Sequence, residues 1–375
     1  MLELNSLELL YASALALSIC FGFVARLTQF CPLGGIADII QTGNNGRFLM
    51  YIFAIGIAII GASTLEYLSI LSFDNTKPPY RMSSFRWPGY VLGGFLFGLG
   101  MTFSRGCGMK NMLNLGSGDF RALVAVSGMA IAGYTLLYVD GAMVTAFGWV
   151  SNYSIDLTKW NIEHQDLGSI ASSFIGGKTE IWRPVLGLII AGTFIKVAFS
   201  SSAFKSRTSN IIGGFLIGSF IIGAYYISGG QLADSAKELS NFMDEPQFGL
   251  GMQSYTFIRP MGDTVQVLSN PVLYLVTLGL VMFIGVGLGS FIYSVPSRNF
   301  RFKKIELGTA PRYFIGGLLV GTGGIVGMGC TLGQGLAGTS TLALGSFVNL
   351  VSLIVGAYIG IKIQPGFMSD HQVPH

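Results

Sequence analysis

Apolar runs fill this chain from end to end, and polar positions gather between them. A helix rises 1.5 Å per residue, so about 17–25 apolar residues cross a hydrocarbon core of about 30 Å. On that measure nine helical spans are predicted, at residues 9–27, 48–70, 88–103, 123–147, 184–200, 211–227, 271–293, 313–328 and 342–363. Two long polar loops, 151–182 and 228–270, hold half of the acidic residues. Three further segments are too short to cross. They read CPLGGIADIIQTG from Cys31, CGMKNMLNLGSG from Cys107 and CTLGQGLAGTS from Cys330. Each follows an apolar run, begins at a cysteine and carries Gly or Pro close behind it. That pattern predicts re-entrant or broken helices, whose backbone is tolerated at membrane depth only where it lines a cavity or is buried in protein.

One stretch is written twice. YVLGGFLFGLGMTFSRGC (90–107) and YFIGGLLVGTGGIVGMGC (313–330) match at a constant offset of 223 residues. Tyr90, Gly93, Gly94, Gly98, Gly100, Gly106 and Cys107 meet Tyr313, Gly316, Gly317, Gly321, Gly323, Gly329 and Cys330. The two copies are the third and eighth predicted spans, so they run in opposite directions, as in inverted-repeat transporters. The expected fold is therefore an all-α polytopic membrane protein of about nine spans in a 4+1+4 inverted repeat. Residues 1–150 form the first half, 181–200 the connecting span and 207–365 the second half.

Composition agrees with a membrane protein. The chain is 51% hydrophobic and 11% charged, against about 25% charged in a soluble domain. Its 53 glycines suit helices that must approach closely in lipid, where packing replaces the hydrophobic drive. Residues 1–10 carry Glu3 and Glu8 and no basic stretch, so the first span is expected to be retained. The net charge of +4 includes no basic run of the kind that binds nucleic acid. Four cysteines without a CxxC pair argue against a zinc site, and no metal or cofactor is expected. Basic residues in short loops (Arg47; Arg105, Lys110 and Arg121; Lys205 and Arg207; the 298–312 cluster) mark the cytoplasmic side. The N terminus is then outside and the C terminus inside.

The cysteine segments carry the candidate chemistry. At Cys330, Gly329 frees the backbone while Thr331 and Gln334 supply polar groups. A helix starting there would aim N–H groups at an anion. At Cys107, Gly106 and Gly108 flank the thiol, and Arg105, Lys110 and Asn111 lie within a turn or two. Cations at membrane depth need an anion or an aqueous path. Cys31 precedes Pro32, which breaks the helix, and Asp38 is placed to cap or to pair with Arg47. Cys20 sits in an unbroken apolar run and reads as packing. Arg121, His164 and Trp160 read as ordinary loop residues, and Glu66 and Asp140 as interfacial charges.

The strings TQFCPLGGIADII, GNNGRFLMYIFAIGIA, SRGCGMKNMLNLGSGDFRALV and GMGCTLGQGLAGTSTLALGSFVNL, with SYTFIRPMGD at 254–263, together resemble the YeeE/YedE family of sulfur-transport membrane proteins. The resemblance covers nearly the whole chain. It implies uptake of thiosulfate across the bacterial inner membrane, with three cysteines passing the ion through weak S–H···S contacts. Carried over by motif, Cys330 is near the outer entrance, Cys107 in the middle and Cys31 towards the cytoplasm. It also implies a small TusA-like sulfur carrier as a cytoplasmic partner. Two other readings stand beside it: a membrane thiol oxidoreductase or sulfurtransferase, and a carrier of another sulfur or selenium oxyanion.

Overall fold

The computed structural model describes residues 5–305 and 307–364. The two chain termini, to which the sequence assigns opposite sides, lie outside these residues, as does residue 365. Helices α1 (Ser6–Leu27), α2 (Pro32–Thr42), α3 (Gly46–Tyr67), α4 (Trp87–Phe103), α5 (Gly108–Gly116) and α6 (Arg121–Tyr138) come first. Three short helices follow before the next long one: α7 (Ala142–Phe147), α8 (Trp149–Asn152) and α9 (Leu167–Ile175). Next are α10 (Thr179–Ser200), α11 (Ser202–Lys205), α12 (Thr208–Gly229), α13 (Gln231–Asn241), α14 (Ile258–Ser269), α15 (Leu278–Ser294), α16 (Ala310–Val326) and α17 (Leu344–Ile363). A two-residue antiparallel pairing, β1 (Ser84–Phe85) with β2 (Ile155–Asp156), is the one named sheet among the described residues.

Among the described residues, six helical stretches are long and apolar enough to cross a membrane. They contain α1, α3, α6, α10, α12 and α17. The other three predicted spans are also helical, but α4, α15 and α16 have 17 residues each, about 26 Å of rise. Two predicted boundaries move. The fourth apolar run stops being one helix at Tyr138, where Val139 turns extended and Gly141 adopts φ 74° before α7. The seventh begins only at Leu278, because Pro271 opens an irregular stretch and Thr277 caps the helix instead. Its hydroxyl accepts from Leu280 N at 3.1 Å. Helix α1 begins with a reciprocal capping box between Asn5 and Glu8.

The centre is an antiparallel crossing of α4 and α16, the two copies of the repeated segment. Glycine on both sides lets backbone touch backbone. A Cβ on Gly100 would lie 2.7 Å from Val320 N, and one on Gly323 would lie 2.6 Å from Gly93 O. Gly93 faces Gly327, and Gly316 faces Ser104. Helix α4 packs its other side against α17, and α16 against α6. Around this core α1 packs on α15, and α3 on α12 and α10.

Overpacking such a contact costs about 1–3 kcal/mol. In Gly98→Val the new side chain would run into the Leu353 carbonyl and Ala357 N of α17. It is expected to lower both the melting temperature and the monodisperse yield of the purified protein. Gly192→Ala, with nothing within 4 Å, is expected to hold or raise the melting temperature by the helix preference of alanine.

Candidate functional site

Three turns of the same design carry Cys31, Cys107 and Cys330. In each, the residue two before the cysteine is left-handed without being glycine: Gln29 at φ 52°, Arg105 at φ 58° and Met328 at φ 62°. That conformation costs roughly 1–2 kcal/mol in an L-residue. In each, the next N–H reaches back five residues to close the end of the preceding helix. Phe30 N donates to Ala25 O at 3.0 Å, Gly106 N to Met101 O at 2.9 Å and Gly329 N to Gly324 O at 2.7 Å. This is the Schellman closure of a helix C-terminus. The cysteine then stands at the head of the next segment. Cys31 caps α2 and its Sγ accepts from Gly34 N at 3.3 Å. Cys330 Sγ accepts from Gly333 N at 3.3 Å, ahead of a π-helical turn over 333–338. Cys107 heads α5 without a side-chain cap bond. The sequence repeat pairs Cys107 with Cys330; the backbone gives Cys31 the same turn.

All three thiols are buried. Cys107 has both Cys31 and Cys330 in its electrostatic surroundings, with the Thr331 side chain beside it. Tyr51, from the middle of α3, has Cys330 and Cys107 near it and donates its hydroxyl to Thr331 O at 2.7 Å. The backbone N–H of Phe257 faces the Cys330 thiol. The Phe257 side chain packs so closely on Gly108 that a Cβ there would lie 2.7 Å away. Thr256 and Tyr80 flank Gly333. Tyr80 gave no signal in the sequence, and Tyr51 lies in the GNNGRFLMYIFAIGIA string, legible as a motif but not as a site. Thr256 and Phe257 lie in the 254–263 string, which was legible as a motif but not as a site.

The predicted supporting residues separate into groups. Asn111 and Gln334, related by the same 223-residue offset, brace the breaks. Asn111 Nδ2 donates to Gly106 O at 3.0 Å and Cys107 O at 3.1 Å. Gln334 Nε2 donates to Gly327 O at 2.8 Å, and its Oε1 accepts from Ser346. Lys110 stands among Arg26, Arg47, Cys31 and Cys107, with its stem against Gly106. Arg105 instead lines a shallow depression with Asn114, Asp119 and Arg121. Arg47 pairs with Asp38 through two bonds of 2.5 Å while its guanidinium covers Gly34. Arg121 pairs with Asp119 at 2.7 and 2.8 Å. Cys20, expected to be packed, is exposed on α1.

The exits of two of the three cysteine-headed segments are stitched to another loop by extended backbone. After α5, Arg301 N and Lys303 N donate to Ser117 O and Gly118 O, and Phe120 N donates to Lys303 O. After the Cys330 segment, Leu167 N donates to Leu342 O and Leu344 N to Gln165 O. At that second exit lies an ionic cluster. Arg81, 1% exposed, bonds Glu66 at 2.5 and 2.8 Å, Asp74 at 3.1 Å and Thr341 O at 2.9 Å. Arg183 bonds Glu66, Asp74 and Asp166 at 2.9–3.1 Å. His164 joins it, 3.9 Å from Asp74, so this loop histidine and Glu66 are structural members of the cluster. Beside it opens a cavity of about 730 Å³ bordered by Lys77, Lys237 and Arg259. A smaller pocket shares Lys77 and Arg259 and reaches Thr256. Burial, with Arg259 and Lys237 as neighbours, pushes the Lys77 ammonium below the usual lysine range.

Apolar helices packed through small residues, around broken backbone headed by buried thiols, define a helical polytopic membrane protein. The chain belongs to the Sulphur transport family (YeeE/YedE), whose profile matches residues 27–359. It is similar to the thiosulfate transporter TsuA of Escherichia coli strain K12, at 26% identity over 92% of each chain. It is also similar to the thiosulfate transporter TsuA of Spirochaeta thermophila, at 24% identity over 92% of this chain and 96% of that one.

The cluster sets an acid limit. Burial pushes the Asp166 carboxyl up, but hydrogen bonds from Arg183 and the charges of Arg81 and Arg183 outweigh it and hold it below the usual carboxylate range. Asp74 is likewise raised by burial and lowered further by Arg183, Arg81 and His164. A lowered carboxylate contributes stability in full above its unfolded pKa near 4, and that stability is lost as pH falls through the lower folded value. Melting temperature is therefore expected to drop as pH falls below about 4. Asp166→Asn should flatten that acid limb while lowering stability at neutral pH, as measured by thermal melts across pH.

Proposed function

We propose that this protein takes up thiosulfate across the bacterial inner membrane along a narrow path of three cysteines. The observation that carries this reading is the convergence of three buried thiols, each presented by the same left-handed turn. Membership of a sulphur transport family, and thiosulfate transporters among its relatives, support the substrate. Thiosulfate is a small dianion with a soft terminal sulfur. Neutral thiols acting as weak S–H donors hold such an ion loosely at several places, which is what conduction needs. Cys330 serves the outer part, Cys107 the middle and Cys31 the inner part. The cations Lys77, Lys237 and Arg259 draw the ion into the outer cavity, and Lys110, with Arg26 and Arg47 near it, receives it within. Arg105 adds positive charge at the inner surface, while Gly106, Gly108 and Gly329 let backbone approach the path. The ion crosses intact, so the activity is transport and not catalysis.

The architecture proposed with it is a 4+1+4 inverted repeat with α10 as the connector. Its support is the way contacts recur: α4 on α17 mirrors α16 on α6, α1 on α15 mirrors α12 on α3, and α4 on α16 is its own mirror. The basic 298–304 segment, joined to the loop after α5, belongs on the cytoplasmic side in this scheme. The N terminus is then outside and the C terminus inside. A TusA-like sulfur carrier at that face would consume the ion and keep uptake running inward.

The test is growth and labelled uptake in a host deficient in sulfate import, with thiosulfate as sole sulfur source. The wild-type protein is expected to restore growth. Cys330→Ala, Cys107→Ala and Cys31→Ala should each cut uptake at least tenfold, and Cys20→Ala should leave it unchanged. Wild-type uptake by Cys107→Ala would sink the relay. A persulfide trapped on Cys107 during turnover would replace it with covalent sulfur handling.

A further inference from the structure

We infer that Thr331 is a specificity-determining residue: its hydroxyl binds the oxygen end of the ion while the Cys107 thiol beside it takes the sulfur end. The inference rests on the thiosulfate reading and sharpens what it recognises. Thr331 is fully buried, and its Oγ1 makes no hydrogen bond of good geometry in the protein, with only a weak contact to the Cys107 thiol beside it. Leaving a buried hydroxyl unpaired is costly, and its neighbours avoid the cost. Thr339 donates to Gly335 O at 2.6 Å, Ser340 to Ala337 O at 2.7 Å and Thr341 to Gly338 O at 2.8 Å. Ser104, before the other repeated cysteine, donates to Gly100 O at 2.9 Å. Thr331 lacks that outlet. The carbonyl four residues back, Gly327 O, already accepts from Gln334, and Tyr51 fixes the Thr331 carbonyl from α3.

The hydroxyl lies within side-chain hydrogen-bonding reach of the Cys107 thiol, at the N-terminus of the nine-residue α5, where Cys107 makes no well-formed cap bond. First-turn N–H groups there favour an anion. The place thus joins a soft donor, S–H, to hard donors, O–H and N–H. An ion with one terminal sulfur and three oxygens satisfies both kinds at once. An ion of the same charge with oxygen alone leaves the thiol facing a poor partner. Discrimination against sulfate then comes from paired donors of unlike softness, since a site built to hydrogen-bond a group rejects ligands that do not answer it.

The experiment compares Thr331→Val, Thr331→Ser and Thr339→Val in labelled thiosulfate uptake and in thermal melts of the purified protein. Thr331→Val, nearly isosteric, is expected to raise the KM for thiosulfate about tenfold or more, the scale of one lost hydrogen bond to a charged ligand. Its melting temperature should be unchanged or higher, because no well-formed protein bond is lost. Thr331→Ser should restore KM to within about threefold of wild type. Thr339→Val should lower the melting temperature and leave KM alone. A wild-type KM in Thr331→Val overturns the inference, as does a lowered melting temperature with uptake falling only in proportion to folded protein. Failure of the wild-type protein itself to take up thiosulfate strikes the function reading instead.

Discussion

Backbone broken inside an apolar core must still satisfy its own N–H and C=O groups, and this constraint organises the molecule. Each unpaired group costs several kcal/mol where water is excluded. At Cys31, Cys107 and Cys330 the solution is the same: a left-handed residue, a bond back five residues, and a cysteine heading the next segment. The braces follow from what that closure leaves open. Asn111 and Gln334 serve carbonyls at their breaks, and Tyr51 and Tyr225 reach in from neighbouring helices to Thr331 O and Ala337 O. The polar residues gathered near the thiols are thus mostly spent on backbone. That is why one unspent hydroxyl stands out.

The glycine-lined crossing of α4 and α16 answers a second demand. Helices in lipid gain little from hiding apolar surface, so close approach and dispersion must hold them. Because the two copies meet antiparallel, the turn that ends one lies near the start of the other. Arg86, at the start of α4, reaches Met328 Sδ at 2.9 Å, in the very turn that ends α16. The ionic cluster and the 165–167 pairing then fix the exit of the Cys330 segment, and the 301–303 pairing fixes that of α5.

Much of this was legible in the chain. Each predicted apolar run coincides with a helix of 17 residues or more among the described residues, and the Gly-Cys repeat pointed to the α4–α16 centre. Cys31, Cys107 and Cys330 announced themselves by the glycine and proline around them. What stayed hidden is non-local. The common turn was masked because Gln29, Arg105 and Met328 share a backbone angle and no side-chain chemistry. Lys77, Arg81 and Arg86 are close in sequence and alike in charge, yet Arg81 is locked in a buried network, Lys77 borders a cavity and Arg86 touches a thioether. Arg105 and Lys110 looked equivalent by spacing and face different surroundings: Arg105 lines the depression with Asp119 and Arg121, and Lys110 stands among Arg26, Arg47 and the thiols.

Cys20 takes on a new meaning in this setting. It is the one cysteine of the four on an exposed face, while the other three lie behind helices whose backbones nearly touch. Chemical reactivity is therefore partitioned by topology. A small membrane-permeant thiol reagent meets Cys20 first, and any later modification reports the moment the interior opens. The chain carries its own reference dye position on α1 and, separately, a built-in clock for the breathing of its core.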